Sequence, residues 1–350
     1  MPVHIAQPFT VLSRHRVSTA EILDDIRGRH ARHPRLPAIL RIVANIGVET
    51  RYFSRALGSG TVSGDKGIAD RAGGAFLDAL DMAEDAARGT LERHGLEAGD
   101  ITAVITTHST GWAIPNLDIH LIDRLELPST VRRIALTTTA CAGGVQALIR
   151  AVDLITARPG ARVLVVAAEV LSTLYNHQDT AVEHMIYKAL FGDSAAATIV
   201  TDTPLGSGLS VEGPEDTYEH VLPRSLDWYD GHMDEAGIHF NSTKAALTAA
   251  DGVLPDLGEW LGADAKTEWG VIHPGSRRII QDTATALGLG EDDTRHSVTT
   301  LATEGNLGAV SVLRILERTH QDPPREESTG VMVAYGPGFA TAALRGTWRG

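Results

Sequence analysis

Short apolar runs alternate along this chain with segments whose apolar residues recur at helical spacing, the pattern of α/β architecture. Residues 101–106 (Ile-Thr-Ala-Val-Ile-Thr) and 162–168 (Arg-Val-Leu-Val-Val-Ala-Ala) predict buried strands. After Cys141, the residues Val145, Leu148, Ile149 and Val152 follow the i, i+3, i+4, i+7 rule of an amphipathic helix, which Arg158-Pro159-Gly160 ends. No low-complexity linker divides the chain. The Gly- and Pro-containing stretch 202–208 is the best candidate for a boundary, which divides the chain into residues 1–205 and 206–350.

Laid over each other, the two parts repeat. Ile105-Thr106-Thr107-His108-Ser109 matches Gly270-Val271-Ile272-His273-Pro274, and Ala140-Cys141-Ala142-Gly143 matches Gly305-Asn306-Leu307-Gly308, both at an offset of 165 residues. Ala309, Val312, Leu313 and Leu316 repeat the helical spacing seen after Cys141, and the strand-like Val165-Val166-Ala167 falls on Gly330-Val331-Met332. Two copies of one β/α unit related by an approximate twofold axis bring equivalent helix starts together. Cys141 and Asn306 are therefore expected to approach each other where the halves meet.

Composition narrows the chemistry. The chain has 350 residues, 43% of them hydrophobic, enough for one large or two intimately packed domains. Its formal net charge of −13 argues against nucleic acid or an anionic membrane as a partner. The N-terminus lacks a basic segment followed by an apolar run, and no apolar stretch is expected to approach the length of a membrane span, so a cytoplasmic setting is expected. The one basic segment, residues 27–35, reads as a solvated helix end and loop, or as a contact for an anionic cofactor such as coenzyme A.

Cys141 is the single cysteine, so no internal disulfide and no cysteine-rich zinc module can form. A thiol at a helix start faces unpaired N–H groups and the positive end of the helix dipole, which favour the thiolate. A nucleophile is the functional reading, and a small buried hydrophobe the structural one. His273, at a strand end, could hold the thiolate as an ion pair, and the Asn306 amide could polarise a thioester carbonyl. Each also has an ordinary reading, the histidine as a structural hydrogen bonder and Gly-Asn as a turn or cap.

With these residues in place, the chain resembles the type III polyketide synthases, the chalcone-synthase-like branch of the thiolase superfamily. The resemblance spans nearly the whole sequence. It rests on Ala140-Cys141-Ala142-Gly143-Gly144, Leu190-Phe191-Gly192-Asp193-Ser194-Ala195-Ala196-Ala197, Ile272-His273-Pro274-Gly275, Glu304-Gly305-Asn306 and Tyr335-Gly336-Pro337-Gly338-Phe339. It implies a homodimer with a five-layered αβαβα fold of two pseudo-symmetric halves. It also implies Cys141, His273 and Asn306 as the catalytic set, which loads an acyl-CoA starter on Cys141 and extends it with malonyl-CoA by decarboxylative Claisen condensation. Coenzyme A thioesters are then substrates, with no metal or other cofactor, and acyl carrier protein is an alternative donor.

The same resemblance places Phe191 as an aromatic gatekeeper, Ser109 and Ile114 near substrate in a loop that reaches across the dimer, and Leu174 where cavity volume is set. Gly336, Pro337 and Gly338 form a loop beside the cysteine. A second gatekeeping phenylalanine is expected within Gly237-Ile238-His239-Phe240, where the alignment sets Ile238, a departure from the family. Arg41 could meet coenzyme A phosphates, and Asp193 is expected to bridge structural loops. The rival readings are a ketoacyl-synthase-III-like enzyme performing one condensation, a Cys-dependent acyltransferase performing none, and a non-catalytic scaffold. The position of Cys141 after an α/β half-domain argues against a papain-like peptidase.

Overall fold

The computed structural model describes all residues except 244, 247, 248, 263 and 264. In the first half, the strand Ala103–His108 lies between Arg132–Thr137 and Arg162–Glu169, parallel to both, and Ser194–Thr201 returns antiparallel to Arg162–Glu169. The second half repeats the pattern: Trp269–Ile272 runs parallel to Thr329–Gly336, and Ala340–Arg349 returns antiparallel. The halves share one 11-stranded sheet. Gly208–Val211 pairs with both Ala340–Arg349 and Val3–Ile5, and Val3–Ile5 pairs with Ser194–Thr201.

Side-chain alternation along these strands makes the layers. Ile105, Val163, Val165, Val271, Met332 and Ala334 face an inner core, filled by the helices Gly143–Ala157 and Ser311–Gln321 through Val145, Leu148, Val152, Val312, Leu313 and Leu316. Their neighbours face outward. Val104, Leu164 and Val166 meet the helices Ile68–His94 and Leu117–Arg124, whereas Ile272 and Val333 meet Ala249–Leu261, Arg277–Ala286 and Arg295–Glu304. The result is the helix, sheet, helix, sheet, helix order of the thiolase-like fold.

One expectation is corrected. The segment Ala140–Ala157, with mean hydropathy 1.3, is apolar and long enough to cross a membrane by composition. It is instead the central core helix, with Val145, Leu148, Val152 and Ile155 all 0% exposed between the sheet halves. The basic segment is the helix end and loop expected, with Arg27, Arg29, Arg32 and Arg35 exposed, while His30 Nε2 lies 2.8 Å from His177 Nδ1 and His33 Nε2 lies 3.0 Å from the Thr180 carbonyl.

Candidate active site

The strand Arg132–Thr137 does not run straight into its helix. Thr138 and Ala140 hold φ of +61° and +47°, left-handed values that non-glycine residues rarely adopt and that cost roughly 1–3 kcal/mol each. Cys141 sits at the centre of the tight turn Ala140–Ala142, just ahead of the helix Gly143–Ala157. Neighbouring groups hold the turn in place. The Ala140 N–H donates to Ser109 Oγ at 2.9 Å, and the Thr107 and Thr139 hydroxyls lie 3.1 Å apart.

Glycine closes the two helix starts on each other. A Cβ on Gly144 would stand 2.2 Å from the Ala309 carbonyl oxygen and 2.6 Å from Val312 Cγ2, and one on Gly143 would stand 2.3 Å from Thr107 Oγ1. With no Cβ there, the loop carrying Asn306 reaches the cysteine. Cys141 Sγ lies 4.0 Å from both Oδ1 and Nδ2 of Asn306. Asn306 is held by its backbone: its N–H donates to the Leu190 carbonyl at 2.9 Å, and its carbonyl accepts from Gly192 at 3.0 Å. Its Oδ1 accepts the Gly308 N–H at 2.9 Å, an assignment that aims the amide donor elsewhere than at the backbone.

His273 follows the strand Trp269–Ile272, is 2% exposed, and donates its backbone N–H to Val333 at 2.9 Å. Val333 belongs to the strand whose last residue, Gly336, packs on Ala142 and the Thr139 carbonyl, so one strand braces both the histidine and the cysteine turn. The imidazole Nδ1 is buried without a hydrogen-bond partner, and burial pushes the ring down to about 3, so it is neutral.

The thiolate expected at rest is corrected too. Burial, then the nearby Glu169 carboxyl, push the Cys141 thiol up to about 12, outweighing the hydrogen bond from Asn306. Thiol and imidazole are thus each neutral at rest. Cys141 still keeps part of its surface open.

Glu169 went unnoticed in the sequence. It closes the strand Arg162–Glu169, is 0% exposed, and accepts from the Ser109 N–H at 3.1 Å and the Thr110 hydroxyl at 3.2 Å. Its Oε1 has no partner, and burial raises its carboxyl to about 7. The signal available was a charged residue ending an apolar run.

Aromatic side chains pack nearby. Phe191 pairs through its backbone with Asn306, and its ring stacks on Tyr187 at 5.5 Å. Leu174 joins the same cluster, and burial raises the phenols of Tyr187 and Tyr229 above their ordinary range. Phe240, two residues beyond Ile238 and on the same strand face, sets its ring centroid 5.2 Å from Tyr187 and 6.0 Å from Tyr229. Ile238 itself is half-buried on the strand Gly237–Ser242. Gly338 takes φ +73° and its carbonyl accepts from Ser225 Oγ at 2.7 Å, while Pro337 is exposed. Asp193 is a bridge, accepting from Ser54 N–H, Ser172 N–H and Ser172 Oγ at 2.6–2.7 Å. Arg41 is exposed in the last turn of the helix Leu36–Ala44.

The chain matches the models for the N-terminal domain of chalcone and stilbene synthases over residues 61–204 and for their C-terminal domain over residues 215–345. Phloroglucinol synthase of Pseudomonas fluorescens is 29% identical over 97% of this chain and 98% of its own. The 1,3,6,8-tetrahydroxynaphthalene synthase of Streptomyces coelicolor is 30% identical over 99% of this chain and 92% of its own. The crystal structure of that synthase superposes with a TM-score of 0.93 at 30% identity, covering 99% of each chain. Germicidin synthase from the same organism superposes with a TM-score of 0.92 at 29% identity, covering 99% of this chain and all of its own. The chain belongs to the chalcone and stilbene synthase family, the type III polyketide synthases.

Proposed function

We propose that Cys141, His273 and Asn306 load an acyl group from a coenzyme A thioester and extend it with malonyl-CoA. His273 takes the Cys141 proton as the sulfur attacks the thioester carbonyl, and coenzyme A leaves with a proton. Thiol and imidazole are each neutral at rest, so the ion pair forms only as substrate arrives and its two charges stabilise each other. Malonyl-CoA then loses CO2, and the electrons of the broken carbon–carbon bond pass into an enolate. Asn306 Nδ2 and the His273 ring donate to the enolate oxygen, stabilising charge that exists only along the reaction path. The enolate carbon attacks the acyl–Cys141 thioester and expels the thiolate.

The observation that carries this reading is the 4.0 Å approach of Cys141 Sγ to the Asn306 amide from the opposite half of the fold. The steps draw on no further cofactor. Two relatives are named for polyphenols, and we extend to this chain a product of several condensations, shaped by the wall of Phe191, Leu174, Tyr187 and Phe240. The test is a panel of starter thioesters, on coenzyme A and on acyl carrier protein, with radiolabelled malonyl-CoA, read by CO2 release and product mass. Release with growth by repeated two-carbon units is the expected result. A single addition favours the ketoacyl-synthase-like rival, and acyl transfer without CO2 release overturns the condensation.

A further inference from the structure

Away from the cysteine, the strands Tyr229–Asp234 and Gly237–Ser242 form a hairpin in which His232 stands directly opposite His239. Their rings stack at 4.9 Å and 14°. Asp234, two residues beyond His232, projects from the same face and brings Oδ1 to 2.8 Å from His239 Nε2. On its other side, His239 Nδ1 lies 2.8 and 3.0 Å from the two carboxylate oxygens of Asp179. One ligand atom from each of His232, Asp234 and His239 falls within 4.8 Å of the others.

We infer that this hairpin binds a divalent first-row transition ion, of the Zn2+ or Co2+ kind, through His232, Asp234 and His239. The donor set of two imidazoles and one carboxylate suits such ions better than Mg2+ or Ca2+, and three protein ligands leave one position for water. A tetrahedral ion with bonds of roughly 2.0–2.2 Å holds its donors about 3.3–3.6 Å apart, so side-chain rotation of the exposed His232 and Asp234 has to open the 2.8 Å contact between Asp234 and His239 and draw the wider separations in. His239 is already oriented for the task. Its Nδ1–H is held by Asp179, the carboxylate-to-histidine arrangement that fixes a metal-binding imidazole, and the ion would replace the contact of Nε2 with Asp234 Oδ1. Binding at Nε2 releases any proton held there to solvent.

The surrounding charges set the strength. Lys188 donates to the Asp179 main-chain carbonyl at 2.8 Å, His184 Nδ1 lies 3.6 Å from Asp179 Oδ1, and Arg71 packs under the hairpin at Gly237. These groups offset much of the Asp179 charge, so affinity is expected to be moderate. Binding would fasten both strands of the hairpin through one buried imidazole. Phe240 follows His239 and packs on Tyr187 and Tyr229, so the ion would stiffen that aromatic wall.

The test uses tag-free full-length protein stripped with chelator, titrated with Co2+ by visible absorption and with Zn2+ by calorimetry. One equivalent per chain is expected. The surface variants His232→Ala and Asp234→Asn should each lose at least about tenfold in affinity, Asp179→Asn about 10–100-fold, and Cys141→Ala nothing. Absence of binding to the wild type overturns the inference, as does binding that survives in both surface variants or disappears with Cys141→Ala.

Discussion

At Cys141 the surrounding residues do work that the thiol cannot do alone. The turn that presents it carries two left-handed non-glycine residues, and Ser109 Oγ takes the N–H of one of them, Ala140. Losing that bond costs about 1 kcal/mol. Ser109→Ala should therefore slow acyl-enzyme formation roughly 3–10-fold, measured by mass spectrometry over time, with the melting temperature little changed. A purely structural role would lower the melting temperature and leave the acylation rate of the folded enzyme intact.

Glu169 makes a second prediction at this scale. Its folded value of about 7 stands above the unfolded 4.5, so between those values the native state holds a proton that the unfolded chain has released. Its contribution is present in full below the lower value and is lost as pH rises through the upper one. Glu169→Gln stays neutral throughout. Relative to this variant, the wild type should lose on the order of 1–3 kcal/mol between about pH 4 and pH 8 in urea denaturation. Parallel profiles would contradict the buried-carboxyl account.

At the scale of elements, the paired helices Gly143–Ala157 and Ser311–Gln321 carry the architecture. Their repeat was legible because the residue spacing that makes a helix bury one face recurs at a constant offset. The approach of Cys141 to Asn306 followed from symmetry alone. The electrostatics were not legible: a helix start suggests a thiolate, but local sequence does not show that Glu169 closes a neighbouring strand or how far burial raises the thiol. Gly144→Ala tests the packing. Its Cβ would meet backbone at the Ala309 carbonyl, so the variant should lose about 1–3 kcal/mol of stability, and a melting temperature equal to the wild type would contradict the close approach.

For the whole molecule, the five layers follow from alternation along strands such as Ala103–His108, whose Ile105 faces the inner core and Val104 the outer. The sequence pattern could not show that Val3–Ile5 and Gly208–Val211 stitch both halves into one sheet, because pairing partners far apart leave no local mark. Trp112 and Ile114 are 67% and 82% exposed on the loop expected to reach across a dimer, and Leu77 and Met233 add further exposed apolar surface. We propose that this face joins two copies. Ile114→Asp should shift the sedimentation coefficient toward a monomer, and an unchanged coefficient would place the dimer contact elsewhere.

The central claim is that His273 and Asn306 stabilise an enolate from malonyl-CoA while Cys141 carries the acyl group. The measurement that separates these roles is CO2 release from malonyl-CoA by Cys141→Gln, with circular dichroism showing the fold retained. The account predicts continued release with no chain growth and no covalent acyl-enzyme. Loss of CO2 release in the folded variant, or chain growth without the thiol, would contradict it.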